Sequence, residues 1–267
     1  MDRKVLLEIK DVSAAYGRKQ VLRDISFDLQ PHALTCLMGK NGSGKTTLLK
    51  CLVNQIAHTG GTFLNGEELE NLSIRALARK ISYIPQRTGI TISLPVIDVV
   101  LMGYNPILKL LEHPSKAQKE KALEALAQVG MKGHEEEDFQ TLSEGQKQLV
   151  LLARTLIEHT NLLLLDEPDS ALDFQNRYMI LKRLRKMVAE EDKAGLLCLH
   201  DPMLAMEMCD QLVLIKDGMC VDIIRPQEDE METMERALRK IYDNILLAEC
   251  IDNKGKRHFT LLWEEEV

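Results

Sequence analysis

Along residues 25–29 apolar and polar positions alternate: Ile25, Phe27 and Leu29 against Ser26 and Asp28. Period two marks a half-buried strand, and Pro31 ends it. Residues 33–38 carry an apolar strand pattern and 47–56 an apolar helical one. Gly60-Gly61 and Asn65-Gly66 bracket a further short strand, and 81–84 form another before Pro85-Gln86. From about Arg87 to Thr141 the pattern turns helical. Ser115 with Gln118 three residues on reads as a capping box, and Ala122, Leu123, Leu126 and Ala127 make an apolar stripe that Gly130 ends. Beyond residue 162, strand patterns at 162–165, 196–199 and 212–215 alternate with helical ones at about 173–190 and 202–209. That order predicts an α/β fold with a parallel sheet and crossover helices. Asp217-Gly218 reads as a hairpin turn, and the tail as a helix over about 230–242 followed by two β-like runs around residues 253–256.

Between the strand at 33–38 and the helix at 47–56 stand Gly39-Lys40-Asn41-Gly42-Ser43-Gly44-Lys45-Thr46, a complete phosphate loop followed by Thr47. Its glycines let successive N–H groups turn toward phosphate oxygens, Lys45 supplies a point charge, and the Thr46 hydroxyl can ligate Mg²⁺. The chain is therefore expected to bind a nucleoside triphosphate, with Gly39 to Thr47 as the contact residues. Such a loop needs an acidic metal partner at the end of a neighbouring buried strand, and Leu162-Leu163-Leu164-Leu165-Asp166-Glu167 provides one. Asp166 is expected to hold Mg²⁺ and Glu167 to polarise an attacking water.

Composition narrows the rest. At 267 residues the chain can bury a sizeable core without staples. Its 34 Lys and Arg against 41 Asp and Glu, a net charge of -7, argue against a non-specific nucleic-acid surface. The six cysteines, at 36, 51, 198, 209, 220 and 250, form no C-x-x-C pair and read as small core residues in a reducing compartment. No secretory signal pattern opens the chain, and no apolar run approaches the ~20 residues of a membrane span, so a membrane role is expected to come through a partner. The acidic stretch 133–138 reads as a solvated loop. Met203, Met206 and Met208 read as gap-fillers rather than a metal box.

Further motifs carry a resemblance. Leu142-Ser143-Glu144-Gly145-Gln146 lies shortly before the Asp166-Glu167 strand, and the chain resembles the ATP-binding subunit of an ABC transporter, whose signature is LSGGQ. Gln86 resembles the Q-loop glutamine, Ser170-Ala171-Leu172-Asp173 the D-loop, His200 the switch histidine and Tyr16 the aromatic that stacks on adenine. The resemblance covers about residues 5–220, with the elements in family order. It implies the ABC ATPase fold: a P-loop NTPase (RecA-like) core, an N-terminal antiparallel β part and an inserted helical subdomain at about 87–141. Residues 1–218 would form this domain, and 219–267 a C-terminal helix and β-hairpin extension.

The resemblance also implies a mechanism. Ser143 reads as an N-cap completed by Gln146, so the following helix would offer free N–H groups to an anion. In the family, Ser143, Gly145 and Gln146 would face ATP held by a second subunit, giving a two-fold homodimer with neither chain hydrolysing ATP well alone. His200 would contact the γ-phosphate, and Gln86 would sense Mg²⁺ and the attacking water. Two positions depart from the pattern: Glu144 replaces the first glycine of LSGGQ, and Asp169 stands where threonine is common.

Residues 99–106 and 238–243 are similar to subunits that energise import of iron-siderophore, haem or cobalamin. The implied assembly is two such subunits at the cytoplasmic face of the membrane, permease subunits and a substrate-binding protein, with no nucleic acid. An exporter subunit and a permease-free ABC protein remain alternative readings.

Overall fold

The computed structural model describes residues 5–86, 88–168, 171–190 and 192–263. An antiparallel sheet opens the chain: β1 (Leu7–Tyr16), β2 (Lys19–Leu29), β4 (His58–Leu64) and β5 (Glu67–Glu68), in the order β2-β1-β4-β5. Alternation at 25–29 translates directly, with Ile25, Phe27 and Leu29 buried and Ser26 and Asp28 exposed.

The second sheet has six strands: β3 (Leu34–Met38), β6 (Ile81–Ile84), β7 (Leu162–Leu165), β8 (Ala194–Cys198), β9 (Gln211–Lys216) and β10 (Met219–Ile224). Their order is β10-β9-β3-β8-β7-β6, all parallel except the antiparallel edge strand β10. Both faces are covered, which is why these strands read as continuous apolar runs. Leu163, Leu165, Leu197, Leu212 and Leu214 point into one core with the helices; Leu162, Leu164, Leu196, Val213 and Ile215 point into a second. That second core also holds Leu48, Leu49 and Leu52 of α1 (Lys45–Leu52), packed with β1 and β2 residues such as Leu22 and Ile25.

Several expectations are corrected. Helix α1 spans Lys45–Leu52, not 47–56: Val53 is its C-cap, and Asn54 (φ 55°) turns the chain away. Gly60 and Gly61 do not punctuate a strand but lie inside β4, beside the register shift of β1 between Lys10 and Ser13. Gly60 has φ 87°, and a Cβ there would sit 2.4 Å from the carbonyl oxygens of Lys10 and Asp11, so only glycine fits this crossing.

After α2 (Ile74–Ala78), residues 88–141 hold α3 (Val96–Leu101), a 3-10 turn at Met102–Tyr104, α4 (Lys116–Gln128) and a second 3-10 turn at Phe139–Thr141, joined by irregular segments. Arg87, where the helical part was expected to begin, lies outside the described residues. The capping box of Ser115 and Gln118 forms as read. In α4 the buried stripe is Ala122, Ala125, Leu126 and then Val129, while Leu123 and Ala127 face solvent. Gly130 (φ 81°) closes the helix in a Schellman pattern, with Met131 N–H donating to Leu126 O and Gly130 N–H to Ala127 O.

The remaining helices are α5 (Glu144–Ile157), α6 (Phe174–Glu190), α7 (Pro202–Met208) and α8 (Met231–Leu238). Asp217 (φ 51°) and Gly218 (φ 77°) make the β9-β10 turn, so the main sheet continues past residue 218 to Ile224. Strands β11 (Ile245–Ile251) and β12 (Arg257–Trp263) form the final hairpin. Met234, Leu238, Ile241, Ile245 and Leu247 join the helix-side core. Of the cysteines, 36, 51, 198 and 209 are buried, 220 is half-buried and 250 is exposed; all are free thiols.

Candidate functional site

Four neighbouring strands end at one edge of the main sheet, and each delivers part of the site. Beyond β3 lies the phosphate loop, beyond β8 His200, beyond β7 Asp166 and Glu167, and beyond β6 Gln86. Ligand sites of open α/β sheets fall at such carboxyl ends.

The phosphate loop is shaped by Gly42 (φ 80°) and Gly44 (φ 110°). Gly44 is the N-cap of α1 and offers no side chain, so the first N–H groups of that helix remain available to an anion. The φ of Gly44 strains any other residue there, and a Cβ would also lie 2.6 Å from Leu22 Cδ2 and 3.3 Å from the Val21 carbonyl oxygen. Lys45 is buried, and its ammonium donates to Gly39 O at 2.8 Å and Lys40 O at 3.4 Å. Ser43 Oγ is buried without a hydrogen-bond partner among the described residues. Thr47 is buried within α1.

Thr46 Oγ1 donates to Asp166 Oδ1 at 3.1 Å, which joins loop and strand end. Asp166 is wholly buried, and burial pushes its carboxyl above the ordinary value against the pull of the Thr46 hydroxyl. Among the described residues its Oδ2 is buried without an N–H or O–H partner, and the Cys198 thiol is only a weak donor to this carboxylate. A buried carboxylate so weakly satisfied, with a hydroxyl beside it, suits a hard divalent cation, which would supply the missing positive charge. The residues present thus fit Mg²⁺.

Glu167 has a left-handed backbone, φ 53°, a conformation that costs a non-glycine residue about 1–2 kcal/mol. Its carboxylate is held between two side chains from the flanking strands. Gln86 Nε2 donates to Oε2 at 2.6 Å, and His200 Nε2 meets Oε1 at 2.6 Å. Two short contacts from opposite sides fix one carboxylate at the strand edge, where it can act as a general base.

The signature stretch is organised separately. Ser143 is the N-cap of α5: its Oγ accepts the Gln146 N–H at 3.3 Å while Gln146 Oε1 accepts the Ser143 N–H at 3.0 Å, the capping box expected. Glu144 turns outward to Lys147 at 2.9 Å and is largely exposed, so its carboxylate leaves the helix N-terminus open. Gly145 packs on the D-loop: a Cβ there would sit 2.8 Å from Ala171 O. Leu172 is buried, and Asp173 Oδ1 accepts the Asn176 N–H at 2.8 Å at the start of α6. Ser170 and Asp169 lie outside the described residues. Among the described residues, no hydrogen bond joins Ser143, Gly145 or Gln146 to the phosphate loop. Tyr16, at the end of β1, is 51% exposed.

One neighbour escapes a sequence reading. The Cys198 thiol lies beside Asp166, and burial first, the carboxylate second, pushes it well above the ordinary thiol range. Only the strand register, with Leu165 opposite Leu197, brings it there. In the acidic stretch 133–138, Glu135 accepts the Gly133 N–H and His134 pairs with Glu137.

A phosphate loop, a buried carboxylate joined to its threonine and a fixed strand-end glutamate define a P-loop nucleotide hydrolase. Residues 22–170 match the family described as ABC transporter, and the chain belongs to that family as an ATP-hydrolysing subunit. It is 32% identical over 252 residues, 94% of this chain and 98% of the other, to the "Probable iron chelatin transport ATP-binding protein" of Helicobacter pylori strain 26695. It is 35% identical to the hemin import ATP-binding protein HmuV of Bordetella pertussis, over 79% of this chain and 83% of that one. In fold it is similar to a metal-chelate type ABC transporter in an inward-facing conformation, with TM-score 0.78, 22% identity, and 97% and 98% of the two chains covered. It is also similar to the dimeric ATP-binding cassette MJ0796 bound to ADP and Pi, with TM-score 0.75, 23% identity, and 84% and 100% covered.

Proposed function

We propose that this subunit energises import of a metal chelate, of the iron-siderophore, haem or cobalamin type, through a separate permease. The observation that carries it is the end-to-end likeness, over 94% of this chain, to a protein named for iron chelatin transport. The relative named for hemin import and the one named for petrobactin import point the same way.

In this reading Gly39 to Thr47 bind the ATP phosphates and Tyr16 stacks on the base. Thr46, Asp166 and Gln86 hold Mg²⁺, which neutralises charge on the β- and γ-phosphate oxygens when bound. Glu167 accepts the proton of the attacking water, while Gln86 and His200 keep its carboxylate from rotating. Ser143, Gly145 and Gln146 complete the site of a second copy, with the D-loop, Ser170 to Asp173, between the two. The helical part and the Gln86 region would form the groove that receives a segment of the permease. Among the described residues no helix is long and apolar enough to cross a membrane, so membrane attachment at the cytoplasmic face would rest on that permease. A substrate-binding protein would deliver the cargo.

The test is uptake. Cells lacking this subunit should lose ATP-dependent accumulation of a ⁵⁵Fe-labelled siderophore, haem or labelled cobalamin, and regain it on complementation. Unchanged uptake of all three overturns the substrate class.

A further inference from the structure

Helix α7 begins two residues after His200 and is only seven residues long. A helix this short has no stable register of its own, so its neighbours set where it stands. Asp201 caps its start, accepting the N–H groups of Met203 at 2.9 Å and Leu204 at 3.1 Å. At its end, Arg185 of α6 donates to the carbonyls of Glu207 and Met208, both at 3.1 Å. Ala205, Met206 and Met208 bury one face in the core.

The other face meets the C-terminal hairpin. Met203 and Glu207 stand four residues apart, one above the other on that face. Met203 Sδ accepts the Leu261 N–H at 3.5 Å and the Thr260 hydroxyl at 3.6 Å. Glu207 Oε2 meets His258 Nδ1 at 2.9 Å, and its other oxygen takes the Lys256 ammonium. His258 is itself braced through Nε2 by Asp252 at 3.3 Å. Strand β12 therefore grips α7 at both ends of one face.

We propose that the C-terminal hairpin positions His200 for ATP hydrolysis: β12, acting on Met203 and Glu207, fixes α7 and with it the place of His200 against Glu167. Slack in α7 passes directly to His200, whose 2.6 Å contact with Glu167 tolerates little displacement. The inference rests on the reading that His200 serves hydrolysis. Glu207, Lys256 and His258 are positioning residues and touch no nucleotide.

The experiment uses the full chain and compares His258→Ala, Glu207→Gln and Lys256→Gln with the parent, each also combined with His200→Ala. Because a 1 Å misplacement can cost ~100-fold in rate, a partial loosening should lower kcat about 3- to 10-fold with KM for ATP unchanged. The His200 ring resonance in the proton NMR spectrum should shift. In the His200→Ala background the same changes should be silent. An equal loss of kcat with and without His200, or unchanged kcat with an unmoved His200 resonance, overturns the inference. If His200→Ala alone leaves turnover intact, it is the role of His200 that fails, and the positioning role falls with it.

Discussion

The phosphate-loop region and the signature region differ in how far each is finished within one chain. At the first, Thr46 already meets Asp166, Lys45 is folded onto the loop, and Glu167 is held by Gln86 and His200. Its remaining needs, Ser43 Oγ and Asp166 Oδ2, are those a charged ligand and its metal would meet. At the second, the side chains of Ser143 and Gln146 cap each other's backbone N–H groups, and Ser143 stands exposed at a helix end. One half is pre-organised within the chain; the other, in the function proposed above, would face a partner's nucleotide.

The largest effect should come from breaking the partner half. Ser143→Arg places a cation and bulk where a second copy's phosphate would arrive. ATPase activity should be abolished while calorimetric ATP binding to the single chain stays near the parent value. Losing the charged contact in Lys45→Ala, worth about 1.5–3 kcal/mol, should instead weaken binding roughly 10- to 100-fold. Mixed dimers of the two variants contain one site lacking both Lys45 and Ser143 and one site in which both are intact, so they should regain part of the activity that neither variant shows alone. Robust ATPase activity of the parent chain at dilutions where it is monomeric would remove the distinction between the halves.

Next comes the finished half. Glu167→Gln keeps the shape and the contact positions but cannot take a proton, so turnover should fall at least about 100-fold with ATP affinity nearly intact. Size-exclusion chromatography should then detect an ATP-dependent dimer that the parent consumes. A normal hydrolysis rate would shift the base assignment away from Glu167.

A smaller effect tests the joint between the halves. In Gly145→Ala the new Cβ would stand 2.8 Å from the Ala171 carbonyl oxygen, a backbone atom. Alanine favours the helix by at most about 1 kcal/mol, whereas overpacking costs about 1–3 kcal/mol. The melting temperature should therefore drop by a few degrees in calorimetry without nucleotide. A rise would mean that signature and D-loop are not tightly coupled.

Much of this was legible in the sequence because each chemical element sits in a local run. The phosphate loop, Asp166-Glu167, the Ser143 cap and the Asp217-Gly218 turn need only nearby residues, and the structure forms each as expected. What local runs do not contain is strand order: Gln86 and His200 meet at Glu167 because β6, β7 and β8 are adjacent. The α4 stripe differs in phase because alanine serves both surface and core, and packing against α5 and α3 selects Ala125 over Ala127. Gly60 looked like punctuation because sequence does not reveal that β1 crosses within 2.4 Å of its missing Cβ. The tail's two strands could be read, but not their seat on α7.

That seat gives the smallest and most conditional effect. His258 lies between Asp252 and Glu207, with Lys256 as the opposing cation, and its hydrogen bonds to the two carboxylates raise its pKa above 6.5. A raised histidine pKa contributes stability that is complete below the unfolded value of 6.5 and disappears as pH climbs through the folded value. Asp252 is shifted the other way, lowered from 3.8 by the Lys256 and Lys254 N–H groups, then by His258. Its contribution is complete above 3.8 and is lost as pH falls through the lowered value. The hairpin should thus grip α7 best between about 3.8 and 6.5 and loosen in alkali. The two side chains are 35% and 33% exposed, so water and salt still screen the pair and the change should be slight. Amide exchange over Arg257–Trp263, corrected for intrinsic rates, should speed up modestly from pH 6 to pH 9 in the parent chain and much less in His258→Gln. The same acceleration in both would mean that another group governs the tail.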